Sequence, residues 1–306
     1  MSNGYNRQSG QQGIKGLTQP LVEEWISFMD GKFNVRDLWA EHDIQSPEGR
    51  QHLRVILSRL VKSGLIADVR RDGYYRRVDS DLTEMEWQKA DPENIVPILF
   101  PFGIEEHCRI YPKSIIIVAG SKNVGKTALL YQLIQMNMCW IETDLFNSET
   151  GPEQMLERFA PLEIPNPAPF KVYERYDNFA DVVHPDHLSV IDYLDMDSEV
   201  YLVGAEINAI FRKLNKGVAV IALHKPPPTV TYIRGEKKVY DRDLAYGGGF
   251  SAKRAVLYIT MGSNKLKLLY VKTPKHPKVN PNNMTWTFKI SNEGLLTDIQ
   301  RCYGDE

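Results

Sequence analysis

Eight consecutive residues, Gly120-Ser121-Lys122-Asn123-Val124-Gly125-Lys126-Thr127, have the composition and spacing of a loop that grips phosphate. The two glycines permit backbone angles and close approaches denied to other residues. Successive backbone N–H groups can then turn inward on an anion, helped by the positive end of the following helix. In such a loop Lys126 reaches the β- and γ-phosphates of a nucleotide and the Thr127 hydroxyl holds Mg²⁺, with Ala128 completing the contact set. The flanks agree, because residues 114–119 read as a buried strand and 126–138 as a helix.

Hydrolysis of a bound nucleotide needs a second acid for the metal and a base to orient water. Leu188-Ser189-Val190-Ile191-Asp192 is an apolar strand ending in an acid, which suits the metal-holding (Walker B) role, with Asp195 and Asp197 as nearby alternatives. Glu149 is the leading base, since it follows the short segment 144–147 and precedes a helix expected to start at Pro152. Glu142 competes with it more weakly.

These residues need a frame. The chain has 306 residues, 42% apolar and 25% charged, enough for two globular domains. Three cysteines, Cys108, Cys139 and Cys302, are too far apart for a zinc or redox pair and suit a reducing cytosol. Residues 1–16 read as a disordered Gly/Gln/Ser/Asn-rich leader without a signal-peptide core, and no apolar run approaches a membrane span. A cytoplasmic enzyme with no membrane partner is the expectation.

Residues 17–78 read as three helices and a hairpin, the order of a winged helix-turn-helix domain. Leu21, Trp25, Phe28 and Met29 suggest one helical face, and Val35, Leu38 and Trp39 a second. Ser46-Pro47 starts a third helix with its stripe of Leu53, Ile56, Leu57, Leu60 and Val61, ended by Gly64. Residues 65–69 and 74–78 follow as strands about Asp72-Gly73. Residues 79–94 are acidic and read as a linker. Residues 95–306 alternate strands and helices, with strands expected at 114–119, 170–173, 188–194, 218–223, 255–260 and 267–271. Such alternation implies an α/β domain with a mostly parallel sheet.

Over residues 95–290 the chain resembles the RecA-like ATPases, particularly their DnaB/KaiC-like branch. The resemblance rests on the phosphate loop and on Pro101-Phe102-Gly103-Ile104-Glu105, Phe146-Asn147-Ser148-Glu149, Gly151-Pro152-Glu153-Gln154 with Arg158, and Val190-Ile191-Asp192-Tyr193-Leu194. It implies an ATP- and Mg²⁺-dependent ATPase in which Glu149 activates water. Ala219-Val220-Ile221-Ala222-Leu223-His224 looks like the strand ending in a γ-phosphate sensor, where the family often has glutamine and this chain has His224. The resemblance also implies homo-oligomers, rings or filaments, with ATP between subunits and basic residues donated in trans. The matching segment, Leu269-Tyr270-Val271-Lys272-Thr273-Pro274-Lys275, offers Lys272 and Lys275. The related helicases often carry arginine at the second of these positions, and lysine lacks its bidentate fork.

Two regions suit DNA. Between Arg50 and Arg77 eight basic residues face only Asp68 and Asp72, a net +6 in a chain of net −2. Arg50, Arg54 and Lys62 fall on the outward side of the third helix, and Arg70, Arg71 and Arg76 surround the wing turn, a layout for groove and backbone phosphate. The second region, 226–249, reads as a loop carrying Arg234, Lys237, Lys238 and three tyrosines, and it corresponds to the DNA-facing loop of RecA-like proteins. The sequence thus points to an ATP-dependent DNA-binding assembly, with a replicative-type helicase motor or a slowly hydrolysing winged-helix regulator as alternatives.

Overall fold

The computed structural model describes residues 17–29, 31–69, 72–80, 82–194, 202–233 and 236–303, with the backbone alone described over 232–233 and 236–240. The leader 1–16, the candidates Arg70, Arg71 and Arg234, the alternatives Asp195 and Asp197, and the side chains of Lys237 and Lys238 lie outside the described residues. The chain divides into two compact units, Met1–Ala90 and Asp91–Glu306.

The first unit runs α1 (Gln19–Ser27), β1 (Lys32–Asn34), α2 (Val35–Glu41), α3 (Pro47–Lys62), β2 (Ile66–Asp68) and β3 (Tyr74–Arg77). Its antiparallel strands lie in the order β1-β3-β2. Local capping sets the helix starts. The Asn34 side chain accepts from the Arg36 N–H while the Asp37 carboxylate accepts from the Asn34 N–H, a reciprocal box that opens α2. The Ser46 hydroxyl accepts from the Gly49 N–H and opens α3. The apolar stripe of α3 is buried at Leu53, Ile56, Leu57 and Leu60, against Val22, Ile26, Phe33, Leu38 and Ile66. The face of α1 differs from expectation. Val22 and Ile26 are its buried residues, Trp25 and Met29 are partly packed, and Leu21 and Phe28 are exposed. The spacing 22/25/26 fits one helical stripe, whereas Phe28 and Met29 fall past the last helical residue, Ser27. Strand β1 was unforeseen because three residues carry no periodic signal.

The second unit contains β4 (Ser114–Gly120), α4 (Lys126–Asn137), β5 (Thr143–Asn147), α5 (Pro152–Phe159), β6 (Lys171–Glu174), β7 (Leu188–Asp192), α6 (Leu202–Lys213) and β8 (Val218–His224). It continues with β9 (Thr229–Ile233), β10 (Glu236–Tyr240), α7 (Gly249–Ala252), β11 (Ala255–Gly262), β12 (Lys265–Val271), β13 (Thr285–Ile290) and β14 (Leu296–Cys302). Nine strands form one sheet in the order β14-β13-β12-β11-β4-β8-β7-β5-β6. From β11 to β6 every neighbour is parallel, and β12, β13 and β14 extend the sheet antiparallel. The result is a mostly parallel α/β sheet with helices packed on both of its faces.

Both faces of β4 are covered, which is why its sequence is an unbroken apolar run. Ile116 and Val118 join a core containing Leu129, Leu133 and Ile134 of α4, while Ile115, Ile117 and Ala119 join one containing Val203, Ile207 and Ile210 of α6. Two expectations are corrected. Strand β7 stops at Asp192 and does not run on to Leu194, and the segment expected as a loop after β8 contains the β9–β10 hairpin. Residues beyond Ile290 return to the same sheet, where β14 pairs with β13.

Candidate active site

Four parallel strands end together. Gly120 at the end of β4 pairs with His224 at the end of β8, and Asn147 at the end of β5 pairs with Asp192 at the end of β7. The carboxyl ends of parallel strands are where open α/β sheets place ligands. Beyond them lies a cavity of about 240 Å³. Its walls include Lys122, Asn123, Gly125, Lys126, Thr127 and Ala128 from the phosphate loop, Glu149 and Arg158 from around α5, and His224.

The loop is built as its glycines require. Gly125 has φ of 96°, and a Cβ there would come within 3.0 Å of Ile290 Cδ1 and 3.3 Å of Leu296 Cδ2. A Cβ on Gly120 would meet Val124 Cγ2 at 2.7 Å, so the turn closes only without a side chain. Lys126 is buried. Its ammonium donates to the Gly120 carbonyl at 3.0 Å and the Ser121 carbonyl at 2.9 Å, and lies 3.3 Å from His224 Nδ1. Burial pulls its pKa down, opposed by the negative charges of Asp192 and Glu149.

Asp192 is 1% exposed. Burial pushes its carboxyl up to about 6, against a hydrogen bond from Thr127, with Glu149 adding to the rise and Lys126 and Arg158 opposing it. Its Oδ1 is buried with no hydrogen-bond partner. A buried acid with an orphan oxygen, hydrogen-bonded to the loop threonine, is a donor set that a hard divalent cation would complete.

Glu149 is held over the cavity by the turn that follows β5. Asn147 Oδ1 accepts from the Glu149 N–H (3.4 Å), the Thr150 N–H (3.3 Å) and the Thr150 hydroxyl (3.0 Å). The Ser148 N–H donates to the Asp192 carbonyl at 3.0 Å, so the turn is also fixed to β7. Glu142 lies before β5, at the other end of the strand, and is 2.6 Å from His187 Nε2. It does not line the cavity. His187 also meets Asp144 at 2.7 Å and stacks on His184, and among the described residues no group of three or more His, Cys, Asp or Glu could hold a metal ion.

His224 is positioned on several sides. Tyr193 packs edge-on to its ring at 4.2 Å, and its carbonyl accepts from the Tyr246 N–H at 2.9 Å. Lys272 and Lys275 lie elsewhere on the unit and do not line this cavity. The Lys272 N–H bonds the Val256 carbonyl, and the Lys275 ammonium is 3.0 Å from Glu106, whose carboxyl it holds below the usual range.

One wall was not foreseen. The turn between β13 and β14 brings Glu293, Gly294 and Leu295 to the cavity, and the Leu296 N–H donates to Gln132 Oε1 at 3.0 Å. No local pattern signals a contact between residues so far apart in the chain. Arg158 was noted as part of a resemblance but given no task, yet it lines the same space.

In the first unit Arg50, Arg54 and Lys62 lie along α3, with the Arg50 guanidinium 4.5 Å over the Trp39 ring. Arg76 is exposed on β3. Among the described residues no helix is long and apolar enough to cross a membrane.

No family model matches the chain, and no curated protein matches it. Among solved structures, the crystal structure of the RadB recombinase is similar at 13% identity, covering 62% of this chain and 92% of that one, with a TM-score of 0.41.

Proposed function

We propose that the protein is a Mg²⁺-dependent ATPase whose nucleotide state governs DNA binding within a homo-oligomer. The observation that carries this reading is the convergence of Lys126, Thr127, Glu149 and His224 on one cavity at the carboxyl ends of the parallel strands, with the buried Asp192 hydrogen-bonded to Thr127. Loop N–H groups from Gly120 to Thr127 receive the phosphates, with Ala128 beside them. Lys126 exchanges its loop carbonyls for phosphate oxygens. Thr127 and Asp192 hold Mg²⁺, which supplies charge neutralisation of the β- and γ-phosphates when bound.

Glu149 orients the attacking water and accepts its proton, and its acceptor role needs no partner beyond the turn that holds it. His224, next to the Lys126 ammonium, reads the γ-phosphate. Lys272 and Lys275 act on a neighbour's nucleotide, which accounts for their distance from their own cavity. A trans cation stabilises charge developing on the γ-phosphate and makes ATP the adhesive between subunits.

The first unit acts as a winged helix, with α3 presenting Arg50, Arg54 and Lys62 to DNA and Arg70, Arg71 and Arg76 near the backbone. The segment after His224, with Arg234, Lys237 and Lys238, forms the second DNA contact.

The test is ATP turnover of the wild type and Glu149→Gln, with and without DNA, beside negative-stain images under the same conditions. Mg²⁺-dependent turnover that falls by about 10²–10⁴-fold in Glu149→Gln, with ATP-dependent rings or filaments persisting in the variant, is the expected result. Dispersed monomers and no turnover under any condition would refute the proposal. Strand displacement by a closed ring would make the assembly a motor, and footprinting at one discrete sequence would make it a regulator.

A further inference from the structure

We propose that the ion pair of the buried Lys225 with Asp241 is a positioning link that carries nucleotide state from the phosphate loop to the β9–β10 hairpin. The inference rests on the nucleotide reading above and names the parts that transmit it.

Lys225 immediately follows the sensor position, and its side chain is 1% exposed. The ammonium lies 2.9 Å from Asp241 Oδ2 and 3.3 Å from Thr260 Oγ1 of β11. A fully buried lysine in a sheet of apolar strands is costly unless paired, and removing one partner of such a pair leaves an uncompensated charge. The two side chains therefore keep together when the backbone on either side shifts. The slot is shaped for the acid, since a Cβ on Gly262 would come within 3.3 Å of Asp241 Oδ2.

Each end of this link is attached to something that matters. At one end, the Lys225 N–H donates to the Gly120 carbonyl at 3.1 Å, and that same oxygen accepts from the Lys126 ammonium at 3.0 Å. The Lys126 ammonium also touches His224, the residue before Lys225. A phosphate oxygen that draws Lys126 away from Gly120 thus changes the load on the strand end that Lys225 continues. At the other end, Asp241 is the first residue after β10, whose partner strand β9 begins at Thr229. The hairpin leaves the sheet after Lys225 and returns at Asp241, so the ion pair closes its base. A second pair, Lys267 with Asp243, fixes the returning chain to β12.

Hydrogen exchange is measured with and without Mg²⁺ and adenylyl imidodiphosphate, on the wild type, Lys225→Met and Asp241→Asn. The Asp241 side chain is 41% exposed, so water reaches the ammonium that Asp241→Asn leaves without its acid, and Lys225→Met removes that charge altogether. In the wild type, nucleotide should slow exchange over residues 114–127 and shift it at least about fivefold over 229–240, the low end of ordinary inter-site coupling. In folded variants the response over 114–127 should persist while that over 229–240 falls below about twofold. A merely structural pair would lower stability without separating those two responses. An undiminished hairpin response in Asp241→Asn, or none in a wild type whose phosphate loop does respond, overturns the link alone. A wild-type phosphate loop that ignores nucleotide overturns the ATP reading and the link with it.

Discussion

Replacing Asp192 by asparagine should make the fold progressively more stable than the wild type as pH rises. The carboxyl is pushed from an ordinary aspartate's 3.8 up to about 6, first by burial. A folded-state pKa above the unfolded one means that the folded chain holds its proton longer. Stability is then greatest below the unfolded value and declines as pH rises through the folded one. With these two values the penalty of carrying the charge is roughly 1–2 kcal/mol at pH 5 and roughly 3 kcal/mol at pH 8. Asparagine carries no such penalty. The stability difference should therefore move in favour of Asp192→Asn by about 1–2 kcal/mol between those pH values. For a domain of this size that is a shift of about 3–6 °C in relative Tm. The amide's own hydrogen bonding at the buried site offsets both measurements equally and cancels in the comparison. The assay is calorimetric unfolding of both proteins in EDTA without nucleotide, at pH 5 and pH 8. A difference that is the same at both pH values, or that moves in favour of the wild type, refutes the reasoning that burial of the charge governs this residue.

Two further outcomes follow from the geometry. Gly125→Ala forces a side chain onto φ of 96° and against Ile290, so it should lose about 1–3 kcal/mol of stability in urea unfolding and bind nucleotide more weakly. Arg54→Gln with Lys62→Gln should weaken DNA binding uniformly across sequences and reduce the slope of log affinity against log salt by about 2 in a titration, if both side chains neutralise phosphate.

The phosphate loop was legible because its chemistry is written in consecutive residues and its flanks differ in period. Asp192 was legible for a related reason, since an apolar run ending in an acid marks a buried strand reaching the sheet's edge. Glu149 was placed by its neighbours Asn147 and Pro152, which mark the end of a strand and the start of a helix. What could not be read depends on the order of strands in space. The β13–β14 turn reaches Gly125 because the antiparallel strands extend the sheet from β11, and nothing near Leu296 signals Gln132. Lys225 carries no local signal of its own in the sequence. Its burial follows from β11, two strands away in the sheet, which brings Thr260 within reach, and from a hairpin that brings Asp241 back. The exposed Leu21 shows the reverse error, a local helical face chosen without knowing which side the core would lie on.

The electrostatics of the cavity explain why nucleotide and divalent cation should arrive as one ligand. Lys126 and Asp192 are each displaced toward their neutral forms by burial, the lysine down and the acid up. A nucleotide alone would satisfy Lys126 but set phosphate charge beside Asp192 and Glu149. A divalent cation alone would satisfy the orphan oxygen of Asp192 but face the Lys126 ammonium with nothing between them. Together, the anionic phosphates lie against the lysine and the cation lies against the acid, so each ligand removes the repulsion that the other would create. Binding of the pair should therefore hold Lys126 in its charged form and release the proton of Asp192, and Mg²⁺-nucleotide affinity should weaken as pH falls below about 6. Isothermal titration in two buffers of different ionisation enthalpy reads that proton release directly, and its absence near pH 6 would place the metal on some other acid.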